Sequence, residues 1–260
     1  MKKIAVCGKG GSGKSVVTTL LALALRDRGM QALVVDSDDS NPGLSRMLGF
    51  DEVPSPLIEF MGGKGKVEKD IEARIKSGVP EPLVNLLLND IAVKAIPARY
   101  IRRSDGISFV TVGKIFTALE GCACPLGIVS RSFLNGLKLA PGEVVLVDME
   151  AGVEHFGRGV ETGVDCVLVV VEPSLDSIEV ALKIRQMSEQ IHIGNVWAVL
   201  NKVPSPEMAS ELTDKLNSRS LSAVGAIKYT PDIFEHCLRG QALSGLPLKE
   251  PGRIADFLFP

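Results

Sequence analysis

The sequence predicts an α/β protein with a mostly parallel central sheet and helices on both faces. Three observations carry that expectation. Short apolar runs such as Ala32-Leu33-Val34-Val35 and Cys166-Val167-Leu168-Val169-Val170-Val171 show no polar alternation, as strands covered on both faces require. Segments with helical spacing fall between such runs, and that order implies right-handed crossovers between parallel strands. A glycine-rich stretch, Gly8-Lys9-Gly10-Gly11-Ser12-Gly13-Lys14-Ser15, joins the first strand to the first helix.

The elements follow in order. Residues 2–7 read as a buried strand, and Val16, Val17, Leu20, Leu21, Ala24 and Leu25 recur at helical spacing until Gly29 offers a stop. The strand at 32–35 ends in Asp36-Ser37-Asp38-Asp39-Ser40-Asn41-Pro42, ahead of a short helix at 43–48. Between 51 and 113 five prolines interrupt the pattern. A mixed-charge helix is expected at 64–76 and a hairpin about Asp105-Gly106, with Tyr100-Ile101-Arg102 and residues 107–110 as its arms. Further on, the pattern predicts a helix at 128–139, strands at 144–148 and 166–171, and a helix capped by Ser174 running to about 191. A strand at 196–200, a helix at 207–216, a strand at 223–227 and a last helix opened by Thr230-Pro231 complete it.

With 260 residues, 45% hydrophobic and 23% charged, the chain fits one large domain, residues 1–260, with a variable insertion around 51–113. A net charge of -2 leaves no basic footprint for nucleic acid or anionic lipid. No apolar run approaches the ~18 residues that cross a bilayer, and the apolar stretch after Met1-Lys2-Lys3 is cut short by the glycine-rich loop. A cytoplasmic protein without membrane insertion is expected. The five cysteines, Cys7, Cys122, Cys124, Cys166 and Cys237, do not make a disulfide framework in that compartment.

A strand turning through glycines into a helix aims successive backbone N–H groups and the positive helix end into one concavity, an anion site suited to polyphosphate. Gly10, Gly11, Ser12, Gly13, Lys14, Ser15 and Val16 are therefore the candidate phosphate cradle for ATP or ADP. Lys14 would reach the β- and γ-phosphates and Ser15 would ligate Mg²⁺. Asp148, ending an apolar strand, stands where an acid holds Mg²⁺ through water, and the segment Asp148-Met149-Glu150-Ala151-Gly152 leaves that place through a glycine. Asp38 is the first candidate to orient an attacking water; Asp36 and Asp39 are alternatives that spacing does not separate from it. Lys9 has two readings, an exposed charge on a turn or a second ammonium directed at phosphates. Cys122 and Cys124, one residue apart before Pro125, would place both sulfurs on one side of an extended segment, a grip for a soft metal ion. A tetrahedral site wants four ligands, and two copies of the pair across a two-fold axis supply them. His155, His192 and His236 have no ligand spacing.

With Lys9 in its second position, the loop resembles that of the MinD, ParA and nitrogenase iron protein class of dimeric ATPases. Asp148-Met149-Glu150-Ala151-Gly152 with Glu154-His155, together with Cys122-Ala123-Cys124-Pro125, resembles the CooC-type ATPases that assist nickel insertion into carbon monoxide dehydrogenase. That resemblance implies an ATP-hydrolysing homodimer with such a nickel enzyme as client. It implies that Lys9 reaches the partner subunit's nucleotide, that Asp38 lies in switch I, and that residues 148–152 form switch II. It also implies that Asn201 reads the adenine with Lys202 packed beside it, that Pro231 belongs to the base-contacting loop, and that Cys122 and Cys124 hold Ni²⁺ or Zn²⁺ at the dimer interface. Asp39-Ser40 departs from the Pro-Asn that relatives commonly show. Two other classes compete: an ATP-gated iron–sulfur electron donor, which would be brown and oxygen-sensitive, and a positioning ATPase of the MinD/ParA kind without metal.

Overall fold

The computed structural model describes residues 1–38, 41–76, 90–114, 124–157 and 159–259. Its elements are β1 (Lys3–Gly8), α1 (Lys14–Arg26), β2 (Gln31–Asp36), α2 (Leu44–Met47), α3 (Leu57–Phe60), α4 (Lys64–Lys76), β3 (Ile91–Ala92), β4 (Arg102–Ser104) and β5 (Ile107–Thr111). They continue with α5 (Cys124–Gly136), β6 (Leu137–Lys138), β7 (Glu143–Asp148), α6 (Glu154–Gly157), β8 (Cys166–Val171), α7 (Leu175–Gln190) and β9 (Val196–Val203). The chain closes with α8 (Pro206–Asn217), β10 (Ala223–Lys228), α9 (Pro231–Arg239) and α10 (Lys249–Leu258).

Among the described residues eight strands form one sheet in the order β10-β9-β8-β1-β7-β2-β5-β4, parallel throughout except for the β4–β5 hairpin. The period-two geometry of β1 divides the core. Ile4 and Val6 pack into the layer of α1 and α10 with Leu21, Ile254 and Leu258; Ala5 and Cys7 face the layer of α5, α7 and α8 with Phe133, Ile184 and Leu212. With both faces covered, β8 is buried along its whole length, which accounts for its unbroken apolar run.

Several expectations shift. Residues 107–111 belong to the main sheet, pairing parallel with β2 from Ala32↔Ile107 to Asp36↔Thr111, so the end of the 51–113 segment is integral to it. The hairpin arm opposite is Arg102–Ser104 and excludes Tyr100, which closes a 3₁₀ turn after Pro97; Asp105 (φ 44) and Gly106 (φ 75) make the tight reversal. The helix expected at 128–139 spans Cys124–Gly136 instead, and Leu137–Lys138 pairs with Ile91–Ala92 in a separate two-stranded ladder. Strand β9 runs on through Asn201 and Lys202, the latter at φ 57, where the apolar pattern ends at Leu200. Among the described residues no helix is long and apolar enough to cross a membrane.

Candidate functional site

Parallel strands deliver their carboxyl ends to one edge of the sheet, and β1 lies between β7 and β8 in its middle. The glycine-rich loop leaves β1 there and enters α1 through Gly13, which has φ 92 and makes no side-chain cap to the helix. The first N–H groups of α1 therefore remain available to an external acceptor. Glycine is required at both ends of the turn. A Cβ at Gly8 (φ 144) would stand 2.6 Å from the Val170 carbonyl, and one at Gly13 would collide with the Asn201 side-chain amide.

Beside the loop lies a cavity of about 480 Å³ lined by Gly10, Gly11, Gly13, Lys14, Ser15, Val16, Asp38 and Asn41 from the loops, with Arg46, Met47, Ala151, Cys237 and Gly240 around them. The oxygens at its base are linked. The Ser15 hydroxyl donates to Asp148 Oδ2 at 2.6 Å and accepts from Asn41 Nδ2 at 2.6 Å; the Thr18 hydroxyl reaches Asp148 Oδ1 at 3.4 Å. Asp148 is fully buried, and burial pushes its carboxyl up to about 7 against the opposing hydrogen bond from Ser15. This all-oxygen set is the donor chemistry that Mg²⁺ prefers. Asp36, paired with Asp148 across β2 and β7, is likewise pushed up to about 6 by burial, opposed by the Lys114 ammonium 2.8 Å away. Asp36, one of the candidates for orienting water, thus has its carboxylate engaged by Lys114. Asp38 lines the cavity itself, buried to 7% exposure. Asp39 lies outside the described residues.

Lys9 turns aside from this cavity. Its Nζ pairs with Glu172 Oε1 at 3.3 Å, and Lys202 Nζ pairs with Glu172 Oε2 at 3.0 Å while also donating to the Gly11 carbonyl. Burial alone would raise the Glu172 carboxyl, yet the hydrogen bonds from Lys202 and Lys9 hold it below the usual glutamate range. Asn201 Nδ2 donates to the Ser12 carbonyl at 2.8 Å, so β9 braces the loop from behind. Among the described residues the Ser12 hydroxyl is buried without a partner.

On the other side of the loop an apolar cavity of about 250 Å³ is lined by Val16, Asn201, Lys202, Tyr229, Ile233 and Phe234, among others. Its largely apolar lining, with the Asn201 amide among it, suits a heteroaromatic ring. Pro231 begins α9; its neighbours Thr230 and Ile233 supply the lining.

Further hydrogen bonds link the loops around the larger cavity. Gly152 N donates to the Gly8 carbonyl at 3.0 Å, and buried His155 Nε2 lies 3.0 Å from the Gly152 carbonyl. The Ser37 and Ser130 hydroxyls are 3.1 Å apart, joining the loop after β2 to α5. Cys124 is the first residue of α5, which starts one residue before Pro125, a residue suited to a first helical turn. Cys122 lies outside the described residues. Among the described residues no group of three His, Cys, Asp or Glu side chains is arranged to hold a metal ion. Cys7 and Cys166 are buried core thiols. Sequence reasoning missed Asn41 as a site residue, and Lys114 and Glu172 altogether; each follows the end of a strand in the main sheet.

A strand-to-helix glycine loop at the carboxyl edge of a parallel sheet, with a seryl–aspartyl oxygen pair beneath it, defines a phosphate-loop nucleotide-binding protein. The chain belongs to the CobQ/CobB/MinD/ParA nucleotide binding domain family, which matches residues 3–243. It is 38% identical over 242 residues to an uncharacterized ATP-binding protein of Methanocaldococcus jannaschii, covering 93% of this chain and 94% of that protein. It is 32% identical over 228 residues to the carbon monoxide dehydrogenase accessory protein CooC of Rhodospirillum rubrum, covering 87% and 83%. The septum site-determining protein MinD of Pyrococcus horikoshii, solved as a complex with Mg-ADP, shares the fold with a TM-score of 0.68 at 17% identity, covering 99% of this chain and 96% of that one.

Proposed function

We propose that this protein is a single-domain, homodimeric, cytoplasmic ATPase that hydrolyses ATP to ADP and phosphate in the service of nickel insertion into a client enzyme, carbon monoxide dehydrogenase or a relative. The observation that carries the nucleotide half is the Ser15–Asp148 hydrogen bond of 2.6 Å beneath an uncapped helix N-terminus. In this reading the backbone of residues 10–16 cradles the phosphates and Lys14 binds the β- and γ-oxygens. Mg²⁺, when bound, neutralises charge on those oxygens; Ser15 and, through water, Asp148 hold it. Asp38 orients the attacking water. Lys9 leaves Glu172 to reach the partner subunit's nucleotide. Asn201 and Lys202 border the adenine, with Pro231 in the loop beyond.

The nickel half is supported by the 32% identity to CooC over most of both chains and by the position of Cys124 on α5, the helix that Ser130 ties to the loop after β2. In this reading Cys122 and Cys124 from two subunits hold Ni²⁺ or Zn²⁺ as cargo.

One set of measurements separates the halves. Phosphate release from ATP is assayed with Mg²⁺, and Ni²⁺ and Zn²⁺ stoichiometry and sedimentation are recorded with and without ATP, for the natural chain and for Cys122→Ala with Cys124→Ala. Loss of bound metal and of metal-linked dimer in the double variant, with nucleotide binding kept, is expected. Unchanged metal stoichiometry removes the nickel half, and absence of phosphate release removes the ATPase half.

A further inference from the structure

Lys114 lies outside the glycine-rich loop and outside every motif of the sequence, yet its ammonium sits at the centre of the acid-rich loop that roofs the site. Its side chain is 13% exposed. An ammonium has three N–H donors, and three acceptor groups meet this one: the Asp36 carboxylate, 2.9 Å to Oδ1 and 2.8 Å to Oδ2, the Asn41 carbonyl at 2.6 Å, and the Asp38 carbonyl. The first acceptor is the last residue of β2, and Val112 N also donates to the Asp36 carbonyl at 2.9 Å, so the base of the arrangement is rigid sheet. The other two acceptors are backbone groups of the loop. One belongs to Asp38, which faces the cavity, and the other to Asn41, whose side chain donates to Ser15 Oγ.

From this geometry we infer that Lys114 is a positioning residue for ATP hydrolysis: it fixes the backbone of the acid loop so that Asp38 and Asn41 are presented to Ser15 and to the phosphates. The inference rests on the ATPase reading above. The bare alternative is that Lys114 only compensates the buried Asp36 carboxylate. The two roles use different acceptors and therefore separate. Charge compensation needs Asp36 alone; positioning needs the Asp38 and Asn41 carbonyls as well.

The test compares the natural chain with Lys114→Met and with the pair Lys114→Met and Asp36→Asn, which leaves no unpaired buried charge and guards against simple misfolding. Amide deuterium exchange is read for the peptide carrying Ser37, Asp38, Asn41 and Gly43, with β1 and β7 as internal controls, alongside steady-state ATP turnover. Both variants should exchange that loop at least about fivefold faster while β1 and β7 stay protected. Turnover at saturating ATP should fall about tenfold or more with KM within about threefold, because substrate binding is kept and the presentation of the water-orienting side is not. The inference is overturned if either variant keeps the natural exchange of the loop, if the loop loosens without loss of turnover, or if the double variant returns to natural behaviour. If the natural chain releases no phosphate, the ATPase reading fails, and with it the role in hydrolysis, whereas the exchange data then still report whether Lys114 holds the loop.

Discussion

Lys9 and Glu172, 163 residues apart in sequence, form an ion pair of 3.3 Å that keeps the loop's first lysine turned away from its own cavity. Glu172 holds Lys202 with its other oxygen, and its own backbone N–H donates to the Ser177 hydroxyl at 3.1 Å at the start of α7. Glu172→Gln removes the charge while keeping the shape. Acetylation of Lys9 by an activated ester, read by peptide mass spectrometry on the nucleotide-free chain, should then proceed several-fold faster, by about 2- to 5-fold for a half-exposed pair of this kind. An unchanged Lys9 rate would show that the carboxylate does not restrain it.

Lys9→Ala should depress ATP turnover far more than ATP affinity, since the natural side chain is not seated in the chain's own phosphate cavity. A loss of about 10³-fold is the scale for a cation supplied to the transition state across an interface. Phosphate release measured beside equilibrium binding of a fluorescent ATP analogue separates the two; equal losses in both would place Lys9 in ground-state binding.

Stability should fall with rising pH in the metal-free chain. Folding raises the Asp148 carboxyl to about 7 and the Asp36 carboxyl to about 6 from an ordinary 3.8. Between about pH 4 and these values the folded chain binds protons that the unfolded chain has released. The stabilisation is therefore full at the acid end and is lost as pH rises, at up to about 1.4 kcal/mol per pH unit for each group. Thermal unfolding in chelator from pH 5 to pH 8 should show the decline, and Asp148→Asn should flatten it. Parallel profiles for the two chains would remove Asp148 as its source.

Gly13→Ala should remove nucleotide binding and weaken the fold. The left-handed backbone alone costs about 1–3 kcal/mol for a residue with a Cβ, and the added carbon would displace the Asn201 amide that braces Ser12. Gly29→Ala is the matched control, since it carries the same positive-φ penalty at φ 75 in open space. Denaturant midpoints should drop for both variants, and binding of ADP should disappear for Gly13→Ala only.

The parts legible in the sequence were those with a local signature. The glycine loop, the unbroken apolar strands and the Ser174 cap, whose hydroxyl accepts from Ser177 N at 3.2 Å, each announce themselves within a few residues. Lys114 and Glu172 do not, because their roles arise only when strands 78 and 163 residues distant are laid side by side. The conformation of Lys202 escaped for another reason: a positive φ in a strand is chosen by the contacts with Gly11 and Glu172, against the preference of the residue itself. At the start of α5 a local signal was also present, since Pro125 suits the first turn of a helix and the helix begins one residue before it.

The bracing of Ser12 by Asn201 and of Gly11 by Lys202 also sets an order of events during biosynthesis. The glycine loop leaves the ribosome well ahead of its support, which arrives 189 residues later with β9. Pairings of such long separation close slowly and only after the intervening chain is made. Until β9 has docked, a nascent or truncated chain carries the motif without its brace.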